Sequence, residues 1–345
     1  MNWSNYVSIL NNNFAFKPNF WNKEIQELDL KVEVINNAVC LPSFLDVKSR
    51  VMPVNIFNWK GEALQSSHHL RGEKHNFFKH QVNSNIDYDT DECVFIAGDT
   101  IFLGWLIPHY GHFLMESISR LWVLGELKSK NYKFLFNFYN DGDSFLEKKE
   151  WAVQLLLSFG VDSEQIIFSS KNYQFERLYI PSQSMILHSN VNSKAQSFIW
   201  NKIKHHLIDK NNLTSVKKVY LSRSKLLRDK RKLINELDVE NAFKKFGFDI
   251  IYPETLSLSQ QVTLFSTVDV LAGPSGSALH NAAFLKNNAV VISLTTTDFC
   301  LLNEVLCCYA AETRYQLFFG ISEGNNTWSI DINKLYSVLL SHPEL

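Results

Sequence analysis

The sequence predicts an α/β chain of two domains, residues 1–190 and 191–345, the second built on a doubly wound, mostly parallel sheet. Three observations carry that expectation. A length of 345 residues exceeds what one hydrophobic core usually serves. From Val219 onward, short apolar runs alternate with helical patterns at close intervals, as in successive βαβ units. Between the halves, Pro181 to Asn192 is polar and turn-rich, and is the best candidate for an interdomain linker.

In the first half, Trp21 to Glu92 is irregular, with short strand-like runs such as Lys31 to Ile35. Val94 to Gly104 predicts a hairpin turning at Gly98-Asp99. A helix from Gly111 to Leu127, a strand Tyr132 to Phe138, a helix Lys149 to Phe159 and a strand Phe175 to Ile180 follow. The second half opens with a strand at Val219. A helix Asn235 to Phe246, closed by Gly247, leads to a strand Phe248 to Tyr252. Ser257 and Gln260 form a capping box that starts a helix to Thr267. Val268 to Ala272 is a buried strand running through Gly273-Pro274-Ser275-Gly276-Ser277 into a short helix from Ala278. Strands at Val290 to Leu294 and Tyr315 to Phe319, with helices at Leu301 to Ala311 and Ile332 to Ser341, complete the pattern.

Hydrophobic residues make up 46% of the chain and charged residues 20%, a globular composition. Lys and Arg number 34 against 35 Asp and Glu, so no basic excess supports nucleic acid as a partner. The five cysteines are scattered and lack metal or redox spacing, which suits reduced thiols in the cytoplasm. Neither a signal peptide nor a membrane-spanning run is visible. The expected location is cytoplasmic, with peripheral attachment to the inner face of the membrane allowed. Abundant Asn, Lys and Phe point to an AT-rich bacterial genome.

Three stretches can carry chemistry. Around Gly273 to Asn281, a buried strand meets a helix through two glycines. Such a turn lets backbone approach a ligand and presents unpaired N–H groups to a diphosphate, or it is simply a tight turn. His280 and Asn281 in the first helical turn favour a site, whereas Ser277 spoils the G-x-S-x-G elbow of a serine hydrolase. Tyr220-Leu-Ser-Arg223, followed by Arg228, Arg231, Asn235 and Glu236, places guanidinium groups past the same sheet edge. They can grip phosphate oxygens or form a solvated basic loop. His112, Glu116 and Arg120 are spaced by four along an otherwise apolar helix, so they share a face. That face is either a structural network or a histidine base oriented by a carboxylate, with Arg120 pairing Glu116. His68-His69-Leu70-Arg71, His75 and His205-His206 are read as surface or packing residues.

The order H-x-x-x-E-x-x-x-R, S-R, R-x-x-x-N-E and G-x-x-G-x-x-L-x-N, over residues 94 to 294, resembles glycosyltransferase family 61. Members of that family transfer xylose, arabinose or N-acetylglucosamine. The resemblance implies a GT-B architecture, two Rossmann-like domains facing across a cleft, with inversion at the anomeric carbon. The final helix would cross back onto the first domain. Residues 1–190 would be the acceptor side and 191–345 the nucleotide-sugar side. Arg223, Arg231, Asn235, Glu236 and the loop residues Gly273, Ser275, Gly276, Ser277, His280 and Asn281 would hold the donor. His112 and Glu116 would be catalytic and face a glycan acceptor of polysaccharide or lipopolysaccharide type. No cofactor or metal is implied, the nucleotide sugar being a substrate. Ser275 stands where the family usually has a histidine in G-x-H-G, which bears on how the diphosphate is neutralised.

Two alternatives stand beside this reading. A metal-dependent GT-A enzyme would use Asp141 and Asp143 as a D-x-D motif, although Asp87-Tyr-Asp89 and Asp89-Thr-Asp91 match the same short pattern. An inactive glycan- or nucleotide-binding protein would account for the missing loop histidine.

Overall fold

The computed structural model describes residues 2–11, 16–43, 51–73, 77–82, 92–127, 131–138, 142–226 and 231–345. The chain forms two contact units, Glu27–Ile203 and Met1–Gln26 with Lys204–Leu345. Each contains a six-stranded sheet, and most strand pairs in the two sheets are parallel. The strands of these sheets are β1 (Val7–Ile9), β2 (Val32–Cys40), β3 (Ile56–Phe57), β4 (Val94–Leu106), β5 (Lys133–Phe138) and β6 (Ile166–Phe168). They continue with β7 (Tyr173–Pro181), β8 (Lys218–Leu221), β9 (Asp249–Ile251), β10 (Val270–Pro274), β11 (Val290–Thr295) and β12 (Arg314–Phe319).

In the Glu27–Ile203 unit the sheet order is β3-β2-β7-β4-β5-β6. The predicted hairpin is absent. Val94–Leu106 is one 13-residue strand paired in parallel with β7 on one side and β5 on the other. Gly98-Asp99 is a bulge in it: the Gly98 N–H bonds Glu176 Oε2 at 2.7 Å, and Asp99 pairs with Arg177. A strand flanked on both sides has no room to fold back on itself. The core on one face gathers Ala38, Ile56, Phe102, Leu135, Phe175 and Leu178. Residues 181–192 are not an open linker. They form a small antiparallel pair, Met185–Ile186 with Asn190–Val191, and Met185, Leu187 and Val191 are buried. The unit boundary instead falls near the C-terminal end of the helix Ser193–Leu207.

The expected helix over 111–127 is broken into pieces. An α-turn Tyr110–His112 passes into a π-helix Phe113–Ser117, and a 3₁₀ stretch Leu121–Gly125 follows. The wider π turn ends the four-residue repeat of side chains, and π segments concentrate at functional sites. Nearly every side chain here is buried.

In the other unit the order is β1-β12-β11-β10-β8-β9, all parallel. Counted from β8, this is the 2-1-3-4-5 order of a doubly wound sheet, with β1 added at the far edge. Residues 1–26, expected with the first domain, belong here. β1 pairs with β12, Trp3 packs edge-on against Tyr309 at 5.4 Å, and the Tyr6 hydroxyl donates to Thr313 O at 2.6 Å. One face of the sheet buries Tyr220, Val270, Ala272, Ile292 and Leu294 beneath Val239 and Phe243 of the helix Glu236–Lys245. Burial of each Val, Leu, Ile or Phe side chain among these contributes roughly 1.5–3 kcal/mol. The final helix, Ile332–Ser341, packs Leu335 and Leu339 into this same core, so it does not leave the unit. The predicted Ser257–Gln260 capping box is present at the start of Leu258–Phe265. Among the described residues no helix is long and apolar enough to cross a membrane.

Candidate functional site

In the parallel sheet of the second unit, β8 has β9 on one side and β10 on the other, so the connections leaving β8 and β10 run in opposite directions. Such a switch point opens a crevice at the carboxyl ends of the strands, where open α/β sheets take ligands. Arg223 lies just beyond the end of β8, and Ser275 follows β10 directly. The Arg223 guanidinium reaches Ser275 O at 3.5 Å. A pocket of about 270 Å³ opens there, lined by Arg223, Arg231, Ser275, Thr296, Asp298, Phe299, Asn325 and Trp328 among others. Arg231 lies over the Phe299 ring at 3.9 Å, and its carbonyl accepts from Trp328 Nε1 at 3.2 Å. Two guanidinium groups beside aromatic and hydroxyl-bearing residues make a surface suited to a phosphorylated ligand.

Of the residues expected at the donor, Arg223, Arg231 and Ser275 line this pocket, whereas Asn235, Glu236, Gly273, Gly276, Ser277, His280 and Asn281 do not. Glu236 Oε1 accepts the Arg223 N–H at 2.6 Å, and burial pushes the Glu236 carboxyl up from its ordinary range. Asn235 bridges backbone, donating to Ile330 O at 2.8 Å and accepting from Ile330 N at 3.0 Å. Asn281 is buried and donates to Gln261 Oε1 and to Ala278 O, and His280 is buried beside it with its carbonyl taking the Cys307 thiol. Ser277 begins the 3₁₀ helix Ser277–Phe284, half-buried. Gly273 serves the sheet: a Cβ there would lie 2.9 Å from Leu221 O, so only glycine lets β10 approach β8.

Glu304 organises the loop and escaped the sequence reading. Fully buried in the first turn of the helix Leu302–Ala310, it accepts from Ser275 Oγ, the Gly276 N–H (2.7 Å), Ser293 Oγ (2.8 Å) and Tyr315 OH (2.8 Å). Burial raises its pKa, and these neutral donors only partly oppose the rise. The Gly276 N–H expected to meet a diphosphate is therefore committed to Glu304. The one signal in the sequence was a single charged residue, Glu304, within a mostly apolar helix.

A second constellation lies in the Glu27–Ile203 unit. Glu116, its side chain wholly buried in the π-helix, accepts four hydrogen bonds. They come from His69 Nε2 (3.0 Å), Arg71 Nε (2.8 Å), Arg71 Nη2 (2.6 Å) and His112 Nδ1 (2.5 Å). Burial alone would raise the Glu116 pKa. The adjacent Arg71 charge and the His112 and His69 bonds outweigh it and hold the carboxyl well below its usual range. Burial pushes His69 down, keeping it neutral. His112, with its side chain 37% exposed, is the member open to solvent. A carboxylate on Nδ1 fixes that nitrogen as the donor, which leaves Nε2 as the accepting nitrogen.

Arg120 does not join this cluster. Because the π-helix breaks the four-residue spacing, its guanidinium turns to backbone carbonyls, Pro181 O, His68 O (2.9 Å) and Ser66 O (3.3 Å). Burial lowers its pKa to about 9. His69 and Arg71, read in the sequence as surface or packing, are instead the partners of Glu116. They sit two apart, outside any strand, and both side chains reach the same Glu116 oxygen. The Arg71 guanidinium lies against Phe77 and Phe78, 5.1 and 4.9 Å from their ring centroids, and the two rings meet edge-on at 4.9 Å.

Arg228, His75 and Asp87, Asp89 and Asp91 lie outside the described residues, and the Asp141–Asp143 motif lies outside the described side chains. Among the described residues, no group of three or more His, Cys, Asp or Glu could hold a metal ion.

No curated protein matches the chain. A profile of one family, Glycosyltransferase 61, matches residues 110–292, just over half of the chain. The match begins beside His112, takes in Glu116, Arg223, Arg231 and the Ser275 loop, and ends within β11. The chain belongs to glycosyltransferase family 61 and is an enzyme that moves a sugar from a donor to an acceptor.

Proposed function

We propose that this glycosyltransferase inverts the anomeric centre of a nucleotide-sugar donor by a single displacement, without a catalytic metal, and delivers the sugar to a glycan acceptor. The observation that carries the reading is the pocket at the switch point, where Arg223 and Arg231 face one cavity beside Ser275. Two fixed guanidinium groups supply the positive charge that a leaving diphosphate needs. Ser275, in place of the family's usual histidine, brings no charge, so the arginines carry that work. The two contact units serve as the acceptor-side and donor-side halves of a GT-B architecture. The switch-point pocket supports the donor assignment for the unit that holds it, and the His112 site supports the acceptor assignment for the other.

In the reaction the acceptor hydroxyl oxygen attacks the anomeric carbon, and the bond to the diphosphate breaks with its electron pair. His112 Nε2 takes the hydroxyl proton, and Glu116 stabilises the imidazolium that forms. Glu116 is a poor base itself: it is buried, fully hydrogen-bonded and held ionised. Arg223→Ala and Arg231→Ala test the donor half. Each is expected to weaken donor binding by about 1.5–3 kcal/mol, the scale of a charged hydrogen bond.

A thermal-shift screen against nucleotides and nucleotide sugars identifies the donor first, because a ligand that binds only the folded state raises the melting temperature. Strict dependence on manganese would instead support the metal-assisted reading through Asp141 and Asp143. A protein that binds nucleotide sugars and neither transfers nor hydrolyses them would be a binding module.

A further inference from the structure

The switch-point pocket holds one charged group that a diphosphate does not use. Its lining carries two cations, Arg223 and Arg231, and one anion, Asp298. Asp298 lies just past the carboxyl end of β11, as Ser275 lies past β10 and Arg223 past β8. A tight turn fixes its backbone: the Phe299 N–H donates to Thr296 O at 3.2 Å, and the Thr295 hydroxyl donates to Phe299 O. The next residue, Phe299, lies under the Arg231 guanidinium, 3.9 Å from the ring centroid. The Asp298 side chain is exposed and, among the described residues, makes no hydrogen bond or ion pair. Aspartate is common in turns because its side chain bonds nearby backbone, and here it does not. A carboxylate placed to orient the arginines would pair with one of them, and this one pairs with neither. The rest of the polar lining is uncharged, including Ser322, Asn325 and Asn326 of the hairpin Ile321–Gly324 with Thr327–Ser329.

An ionised carboxylate only accepts hydrogen bonds, and it repels phosphate oxygens. In a pocket for a phosphorylated ligand it therefore has to face a neutral part of that ligand that donates. Its two oxygens can take both hydroxyls of a vicinal diol, the way open α/β sheets hold a ribose with an acidic side chain. We propose that Asp298 is a specificity residue of the donor site, accepting from a vicinal diol of the donor, on the ribose or on the transferred sugar, while Arg223 and Arg231 hold the diphosphate. This role rests on the reading of the pocket as the donor site, and binding measurements separate the two.

Calorimetry gives dissociation constants for ADP, CDP, GDP and UDP, their 2′-deoxy counterparts, the glucose conjugate of the tightest binder, and inorganic diphosphate. The proteins compared are wild type, Asp298→Ala, Asp298→Asn and Arg223→Ala. Wild type is expected to bind the ribonucleotide at least about tenfold more tightly than its 2′-deoxy form, the scale of a hydrogen bond to a charged group. Asp298→Ala abolishes that preference by weakening the ribonucleotide about tenfold. The 2′-deoxy form and inorganic diphosphate bind Asp298→Ala as they bind wild type, or more tightly, because a negative charge has left the pocket. Asp298→Asn, which keeps the shape without the charge, falls between. A loss confined to the glucose conjugate also supports the role and puts the diol on the transferred sugar. An equal loss, an equal gain or no change toward all these ligands in Asp298→Ala overturns it. If Arg223→Ala weakens every diphosphate while Asp298→Ala discriminates between none, the donor site stands and Asp298 is not its specificity residue. A wild-type protein that binds none of the nucleotides overturns the donor reading and this role with it.

Discussion

Glu116 in one contact unit and Glu304 in the other are both buried and both accept four hydrogen bonds, yet their protonation is driven in opposite directions. Glu116 faces a guanidinium and two imidazoles, and burial, which alone would raise its pKa, is outweighed by the charge of Arg71 together with the His112 and His69 bonds. Glu304 faces two serine hydroxyls, a tyrosine hydroxyl and a backbone amide, and burial wins. The number of hydrogen bonds therefore does not decide the charge of a buried carboxylate; the formal charge of its donors does. The consequence is functional. A carboxylate kept ionised can orient an imidazole and balance the proton it takes up. One satisfied by neutral groups is suited to holding a loop in shape, as Glu304 holds Ser275 and Gly276 beside Arg223.

The largest expected effect that separates the two is on stability. Glu116→Gln leaves the part-buried Arg71 charge without its ionised partner and should cost about 3 kcal/mol, read from denaturant unfolding of the purified protein. An effect below that of Glu304→Gln would break the comparison. Next comes Arg223→Ala, about 1.5–3 kcal/mol in donor affinity by calorimetry, with no change in stability of that size. Glu304→Gln should cost only about 1–2 kcal/mol, because the amide oxygen still accepts from Ser275 and Gly276 and the hydroxyls can rotate to accept from its nitrogen.

The smallest effect is on pH dependence, and its sign differs between the sites. The folded-state pKa of Glu116 is depressed, so its contribution is present above the unfolded value of about 4.5 and is lost as pH falls below it. The folded-state pKa of Glu304 is raised. Its contribution is therefore largest below about 4.5 and declines as pH rises through the folded value. Melting curves against pH should show Glu116→Gln flattening the acid limb and Glu304→Gln flattening the decline above it. The same limb flattened by both variants would mean that donor charge is not what distinguishes them.

Much of the second unit was legible in the sequence because its information is local. The alternation of strand and helix, the Ser257 capping box and the step from β10 through Ser275 into a helical turn are all written within a few residues. Arg223 was legible for the same reason, as the first charged residue past a strand. The Glu116 site was legible only in part. His112 and Glu116 announce themselves by spacing, but His69 and Arg71 lie 47 and 45 residues away, and no local pattern joins them to the carboxylate. Arg120 misled because a spacing of four assumes an unbroken α-helix, and the π-helix at Phe113–Ser117 breaks the phase. Gly98-Asp99 misled in a similar way: the dipeptide favours a hairpin, but pairing on both sides of β4 turned it into a bulge. Residues 181–192 looked like a linker because polar, turn-rich sequence also describes a small hairpin, here Met185–Ile186 with Asn190–Val191.

The central claim is that His112, oriented by an ionised Glu116, accepts the acceptor's proton, while a separate arginine-lined pocket holds the donor. It is tested most directly by measuring turnover and donor affinity together in His112→Ala. The account predicts a loss of turnover of about 10²–10⁴, the usual weight of a general base, with donor dissociation constant unchanged. Near-wild-type turnover in His112→Ala, or a loss explained wholly by weaker donor binding, would contradict it.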